Sequence, residues 1–327
     1  MLRRTAPAAV ALLCTFLVVA CSDPSTAPDR EPVRESAQEP SSREPSPAER
    51  LEPSPADRPK LPRELARALD QQPTPARSAD RVVDQIVAAE RAIADPATRP
   101  TVLEAAGHLQ QVAYRQLADR PGWDRQVRNA LPPDLVRVVQ DNVAARRAFR
   151  SMHPSARSEL SDELPAWRIV RPAPAATLRR LYRKAEQRFG VDWNYLAAIN
   201  FVETGLGRIR GTSVAGAQGP MQFIPSTWAA YGRGDINSLH NSIMAAGRYL
   251  QDLGFNEPGG RPQALYGYNH SDAYVRGVTL LAELMERRPR AFDGYYHWQI
   301  YYLTRRGTIL LPEGYRAEQP IPVERWL

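Results

Sequence analysis

The sequence predicts a mainly α fold, and three observations carry that reading. Apolar residues recur at helical spacing along residues 81–149 and again from 175 to about 290. Prolines at 96, 100, 121, 132 and 133 and glycines at 190 and 205 fall at the ends of these runs, where they stop helices. Only the stretch 295–315 has the aromatic and β-branched character of strands.

Residues 1–20 come before any of this. "MLRR" is a basic start and "APAAVALLCTFLVVA" is an apolar run too short to cross a membrane as a helix, the pattern of an export signal. The run ends in "LVVAC", which resembles a bacterial lipoprotein box with Cys21 as the lipidated residue. An ordinary cleaved signal is the alternative. Cys14 leaves with the signal in either case, so no disulfide is expected. The protein is therefore expected to be exported and anchored to the membrane of a bacterial envelope through Cys21.

Residues 21–80 read as a tether. They hold 12 prolines among Ser, Glu, Arg and Asp, and "EPSPAER" at 44–50 returns as "EPSPADR" at 52–58. So little apolar surface cannot offset the entropy of ordering, which predicts a disordered spacer reaching on the order of 100 Å.

Residues 81–165 form a small helical module. Val82, Ile86, Ala89 and Ile93 line up on one face, as do Val102, Ala105, Leu109, Val112 and Leu117, and "PDLVRVVQDNVAARRAF" supplies a third helix. No cluster of reactive side chains lies here, so the module reads as a packing element, with contact to substrate as the alternative.

Residues 166–290 are denser in signals. One helix puts Leu178, Leu181, Tyr182, Ala185 and Phe189 on a face and stops at Gly190. The next runs from an expected N-cap at Asp192 to Gly205, and "NSIMAAGRYLQDLG" and "SDAYVRGVTLLAELMERR" give two more. Residues 291–327 form an aromatic extension, with a hairpin expected over 295–315 turning at Arg306-Gly307. Its rings either pack on the domain or form a stacking surface.

Composition narrows the function. The five histidines, at 108, 153, 240, 270 and 297, show no ligand spacing, so neither a metal nor another cofactor is expected. There is no nucleotide loop. Residues 81–327 carry 32 basic and 24 acidic side chains, a balance that in an exported protein suits an anionic wall better than nucleic acid.

Glu203 is the candidate for chemistry. It shares a helix face with Leu196 and Asn200 and emerges at the C-terminal end of an apolar helix. The negative end of the helix dipole and apolar walls both favour the protonated acid. A solvated helix-end residue is the plainer reading. From Thr204 to Gly234 there is no Asp or Glu, and Asp235 reads as a loop or helix-entry residue. A conventional glycosidase needs two carboxylates, whereas one suffices if the substrate supplies its own nucleophile.

"ETGLGR", "AGAQGPMQFIPSTW" at 215–228 and "ALYGYNHSDAYV" at 264–275 together resemble the lytic transglycosylase family, over roughly residues 172–288. The resemblance implies a lysozyme-like fold and a single catalytic acid, Glu203. It implies a substrate-facing turn made by Gly216, Gly219, Met221 and Gln222, and a "YN" pair, Tyr268 and Asn269. Core packing is the alternative for Met221, Phe223 and Trp228. Tyr268 is expected to hydrogen-bond the Glu203 carboxyl and Asn269 to bind glycan. Thr204 stands where the family often has Ser, and "YNHS" departs from the usual small residue after Asn, which leaves His270 without a role.

The implied partner is the peptidoglycan strand. The implied reaction cleaves the bond from N-acetylmuramic acid to N-acetylglucosamine and closes a 1,6-anhydro ring. A hydrolytic muramidase and a non-catalytic wall-binding scaffold are the alternatives.

Overall fold

A computed structural model describes residues 61–153 and 156–327. The export signal, Cys21 and the tether up to residue 60 lie outside the described residues.

Helix α1 (Arg63–Asp70) falls inside the stretch expected to be a disordered tether. It is ordered because Leu65, 1% exposed, packs with Ile93, Val102 and Leu109 of the two helices that follow. The tether composition therefore ends before residue 61. Helices α2 (Ala79–Ala94), α3 (Pro100–Ala118), α4 (Asp124–Ala130) and α5 (Pro133–Ser151) complete the N-terminal module. Ser78 caps α2, and Pro100 and Pro133 open α3 and α5, where a missing N–H costs nothing.

Helices α6 (Ala175–Phe189) and α7 (Trp193–Thr204) both end in left-handed glycines, Gly190 and Gly205, as their spacing predicts. Asp192 precedes α7 but its side chain does not cap it; the carboxylate accepts instead from Arg261 at 2.6 Å. After α8 (Pro225–Tyr231) come α9 (Leu239–Asp252), α10 (Gly260–Tyr268), α11 (Asp272–Arg287) and α12 (Ala291–Tyr296). The rest is three short antiparallel ribbons. β1 (Glu163–Leu164) pairs with β6 (Ile321–Pro322), β2 (Arg168–Ile169) with β3 (Ile209–Arg210), and β4 (Ile300–Thr304) with β5 (Gly307–Leu311).

The aromatic extension splits in two. Tyr295 and Tyr296 are helical, in α12, rather than part of a strand, and the hairpin begins only at Ile300, turning through Arg305-Arg306 into Gly307. Tyr295, Trp298 and Tyr302 are buried, so packing accounts for them. Phe201 of α7 stacks on Tyr295 with ring centroids 5.2 Å apart and meets Trp298 edge-on at 5.3 Å.

The module expected at 81–165 does not have a separate core. One apolar cluster runs unbroken from Ala79 through α3 and α5 to Leu281 and Trp298. Polar bonds cross the same seam. Tyr295 Oη donates to Asn142 Oδ1 (2.7 Å), Trp298 Nε1 to Gln110 Oε1 (2.8 Å), and Gln111 Nε2 to the Gln299 carbonyl (2.7 Å). The module thereby becomes a wall of the site.

Candidate active site

Helix α7 is apolar on nearly every face, and its last turn presents Glu203, which is 5% exposed. Tyr274, two residues into α11, donates its Oη to Glu203 Oε1 at 2.8 Å. Tyr268 was expected in that role; its Oη donates to the Met221 carbonyl at 2.7 Å, and its ring lies parallel to that of Tyr274 at 6.5 Å.

The last turns of α7 also hold the turn that contains "GPMQ". Asn200 Nδ2 and Thr204 Oγ1 both donate to the Pro220 carbonyl, at 2.8 and 2.7 Å. Tyr182 fixes the Asn200 amide by donating to its Oδ1 at 2.6 Å. The turn itself is closed by paired backbone bonds between Gln218 and Phe223, both 2.9 Å.

Gly219 has φ +74°, and a Cβ there would lie 2.2 Å from the Ile236 carbonyl oxygen. Its glycine is required by that internal contact, not only by approach to a sugar. Gly216, at φ +78°, has open space around its Cα. Gln222 also adopts a positive φ, 50°, and its Nε2 donates back to the Gly219 carbonyl at 3.0 Å. Met221 is wholly buried, so its side chain cannot face a glycan and its motif position is explained by packing. Asp235 accepts from the Asn237 backbone ahead of α9, as a helix-entry residue does.

A cavity of about 230 Å³ opens beside Glu203. Its walls come from three parts of the chain: Gln111, Arg115, Arg146 and Phe149 of the N-terminal module, Glu203, Asn269 and Tyr274 of the central region, and Trp298 to Tyr301 of the extension. Among the described residues that line it, Glu203 is the one carboxylate. Asn269 is 6% exposed, and its Oδ1 has no hydrogen-bond partner among the described residues, an acceptor held ready for a ligand donor. Of the residues expected at the site, Glu203 and Asn269 share this cavity, whereas Gly216, Gly219, Met221, Gln222 and Tyr268 do not line it.

Sequence reasoning missed Tyr274, Arg115 and Arg146. Tyr274 lies within the third motif, but on an amphipathic helix it reads as core. The arginines carry no local signal, because only the fold of α3 and α5 brings them to the cavity. Among the described residues no group of His, Cys, Asp and Glu could hold a metal ion, and no helix is long and apolar enough to cross a membrane.

Residues 180–281 match the family described as "Transglycosylase SLT domain". Three curated relatives share the name "Membrane-bound lytic murein transglycosylase F". The protein from Thiobacillus denitrificans is 28% identical over 178 residues, covering 53% of this chain and 37% of that one. The one from Methylobacillus flagellatus is 31% identical over 117 residues, 34% of this chain and 25% of that one. The one from Nitrosospira multiformis is 25% identical over 226 residues, 66% of this chain and 46% of that one. The chain thus spans less than half the length of these curated relatives. No solved structure matches it.

Proposed function

We propose that this chain, which carries a transglycosylase SLT domain over residues 180–281, is a lytic transglycosylase that cleaves the β-1,4 bond from N-acetylmuramic acid to N-acetylglucosamine in peptidoglycan. The observation that carries this reading is the lone carboxylate of the cavity, Glu203. A two-carboxylate hydrolase needs a second acid here, to act as nucleophile or to activate water.

Glu203 first donates its proton to the glycosidic oxygen as that bond breaks. The acetamido oxygen of the muramyl sugar stabilises the cationic anomeric carbon. The Glu203 carboxylate then takes the proton of the muramyl C6 hydroxyl, whose oxygen closes the 1,6-anhydro ring. The acid is regenerated and no water is consumed. One residue serves both steps because the first creates the base that the second requires.

Tyr274 aims the carboxyl by its hydrogen bond, and burial in the cavity keeps water away. The unpaired Asn269 Oδ1 accepts from a sugar hydroxyl or amide N–H. Gln222 offers its amide to an acetamido group at the neighbouring turn. Gly216, open above its Cα, lets the glycan run close to that backbone.

Export and a lipid anchor at Cys21 are part of the same proposal, and the word "membrane-bound" in the relatives' names supports it. Cys21→Ala should move the protein from the membrane fraction to the soluble one. The catalytic reading is tested by incubating the protein with purified peptidoglycan and weighing the released fragments by mass spectrometry. Anhydromuramyl ends that vanish with Glu203→Gln are expected. Reducing ends in their place mean a muramidase, and binding with no release means a scaffold.

A further inference from the structure

Two guanidinium groups stand in the wall of the Glu203 cavity with no carboxylate against them. Arg115 comes from α3 and Arg146 from α5, and both line the cavity along with Glu203 and Asn269. Three other arginines of the module are paired: Arg91 to Asp134 at 2.6 Å, Arg147 to Asp124 at 2.7 Å, and Arg137 to Asp141 at 2.9 Å. Arg115 and Arg146 form no ion pair among the described residues. Arg115 lies over the ring of Tyr301, 4.5 Å from its centroid, and the Nε of Arg146 is buried with no acceptor.

A guanidinium taken out of water without a counter-ion is costly, and two of them close together repel. Burial, with Arg115 nearby, pushes Arg146 down to about 9, opposed by the charge of Asp119. Burial lowers Arg115 in the same direction, against Tyr301 and Asp119. His153, also in the wall, is lowered by burial and by the charge of Arg150, so it stays neutral and adds no charge. An anionic ligand entering the cavity relieves all of this strain at once.

We propose that Arg115 and Arg146 form a carboxylate-binding subsite beside Glu203, which recognises the acidic arm of the muramyl sugar. This rests on the transglycosylase reading and extends it. The glycan backbone is uncharged, so a cationic wall has nothing to grip on it. The lactyl arm of the muramyl residue ends either in its own carboxylate, where the peptide has been removed, or in a peptide that bears carboxylates. The planar fork of Arg matches a carboxylate with two parallel hydrogen bonds. The N-terminal module is then a specificity element that distinguishes muramyl glycans from plain N-acetylglucosamine polymers.

The test measures binding to full-length Glu203→Gln protein by calorimetry, with three probes: a muramyl tetrasaccharide carrying peptides, the same sugar stripped to free lactyl carboxylates, and uncharged chitotetraose. Adding Arg146→Gln or Arg115→Gln is expected to weaken the carboxylate probes about tenfold, the loss of one charge-assisted contact. Chitotetraose should be held as before, and Arg146→Lys should restore part of the loss.

Weakening of the stripped probe alone assigns the lactyl carboxylate, weakening of the peptide-bearing probe alone assigns a peptide carboxylate, and weakening of both assigns a subsite that takes either. Equal weakening of all three, or none, overturns the proposal. Should the variants fail to fold, the unaltered arginines are tested with both charged probes after their carboxylates are amidated; retained affinity for both also overturns it. Because binding is read without turnover, a failed peptidoglycan digestion would sink the transglycosylase reading and leave this result standing by itself.

Discussion

Tyr274 Oη holds Glu203 Oε1 at 2.8 Å, joining α11 to the last turn of α7 across 71 residues of sequence. The bond restricts the carboxyl to one rotamer at the mouth of a cavity, which matters for a group that must give a proton to one oxygen and take one from another. Tyr274→Phe removes the bond and keeps the ring. We expect kcat for anhydromuramyl release to fall about 10- to 100-fold with KM little changed, within the range assigned to a positioned acid–base group. The alkaline limb of the pH–rate profile, where the general acid loses its proton, should shift as well, because the hydroxyl touches the titrating group. A fall in activity matched by an equal fall in folded protein, with the profile unmoved, would assign Tyr274 a structural role only.

Gly219 tests the turn. An alanine there meets the Ile236 carbonyl oxygen at 2.2 Å and must also adopt φ +74°. Neither a backbone carbonyl nor the turn, pinned to α7 through Pro220, can move far. Gly219→Ala should cost about 1–3 kcal/mol in urea unfolding. Gly216→Ala shares the positive φ but meets no atom, so it should cost less, about 1 kcal/mol. Equal costs for the two would show that the close contact is not what requires glycine.

Those two glycines illustrate what was legible in advance. Helix ends at Gly190 and Gly205, the face of α6, and the isolation of Glu203 from other acids follow from local spacing, and the structure repeats them among the described residues. What stayed hidden depends on distant partners. Helix α1 was invisible because its few apolar residues look insufficient until Leu65 finds Ile93 and Leu109. Tyr295 and Tyr296 carry strand-like chemistry, but the stack on Phe201 and the bond to Asn142 favour a helical turn. Met221 sits in a substrate motif yet is core: its side chain is wholly buried, while Gln222 beside it is partly exposed.

Two histidines make stability depend on pH. Burial lowers His108 from 6.5 to about 4, and His297 likewise to about 4, the latter helped by Arg208 and opposed by Asp293. His108 Nε2 also lies 2.8 Å from Tyr301 Oη. Both rings stay neutral in the folded state while the unfolded chain binds protons near pH 6.5. Stability is therefore full above about 6.5 and declines as pH falls toward 4. Both rings are partly solvated, so each contributes on the order of 1 kcal/mol rather than the full product of the shift. Urea unfolding at pH 7 and 4.5 should show a smaller decline in His108→Gln than in the unaltered protein. Identical declines would mean that His108 plays no part.

The N-terminal module packs tightly on the central region at Gly277 of α11, where a Cβ would lie 2.4 Å from the ring of Phe149 on α5. Phe149 also lines the Glu203 cavity, so whatever displaces its ring changes the cavity. Gly277→Ala should destabilise by about 1–3 kcal/mol through overpacking, less a few tenths returned by the better helix propensity of alanine. Activity should fall further than the folded fraction does. Phe149→Leu alone should cost about 1–2 kcal/mol. The double variant, in which the smaller side chain makes room for the new methyl, should be more stable than the sum of the single changes by about 1 kcal/mol. Additive costs would show that the two helices have room to separate, and the module would then not be seated rigidly enough to shape the site.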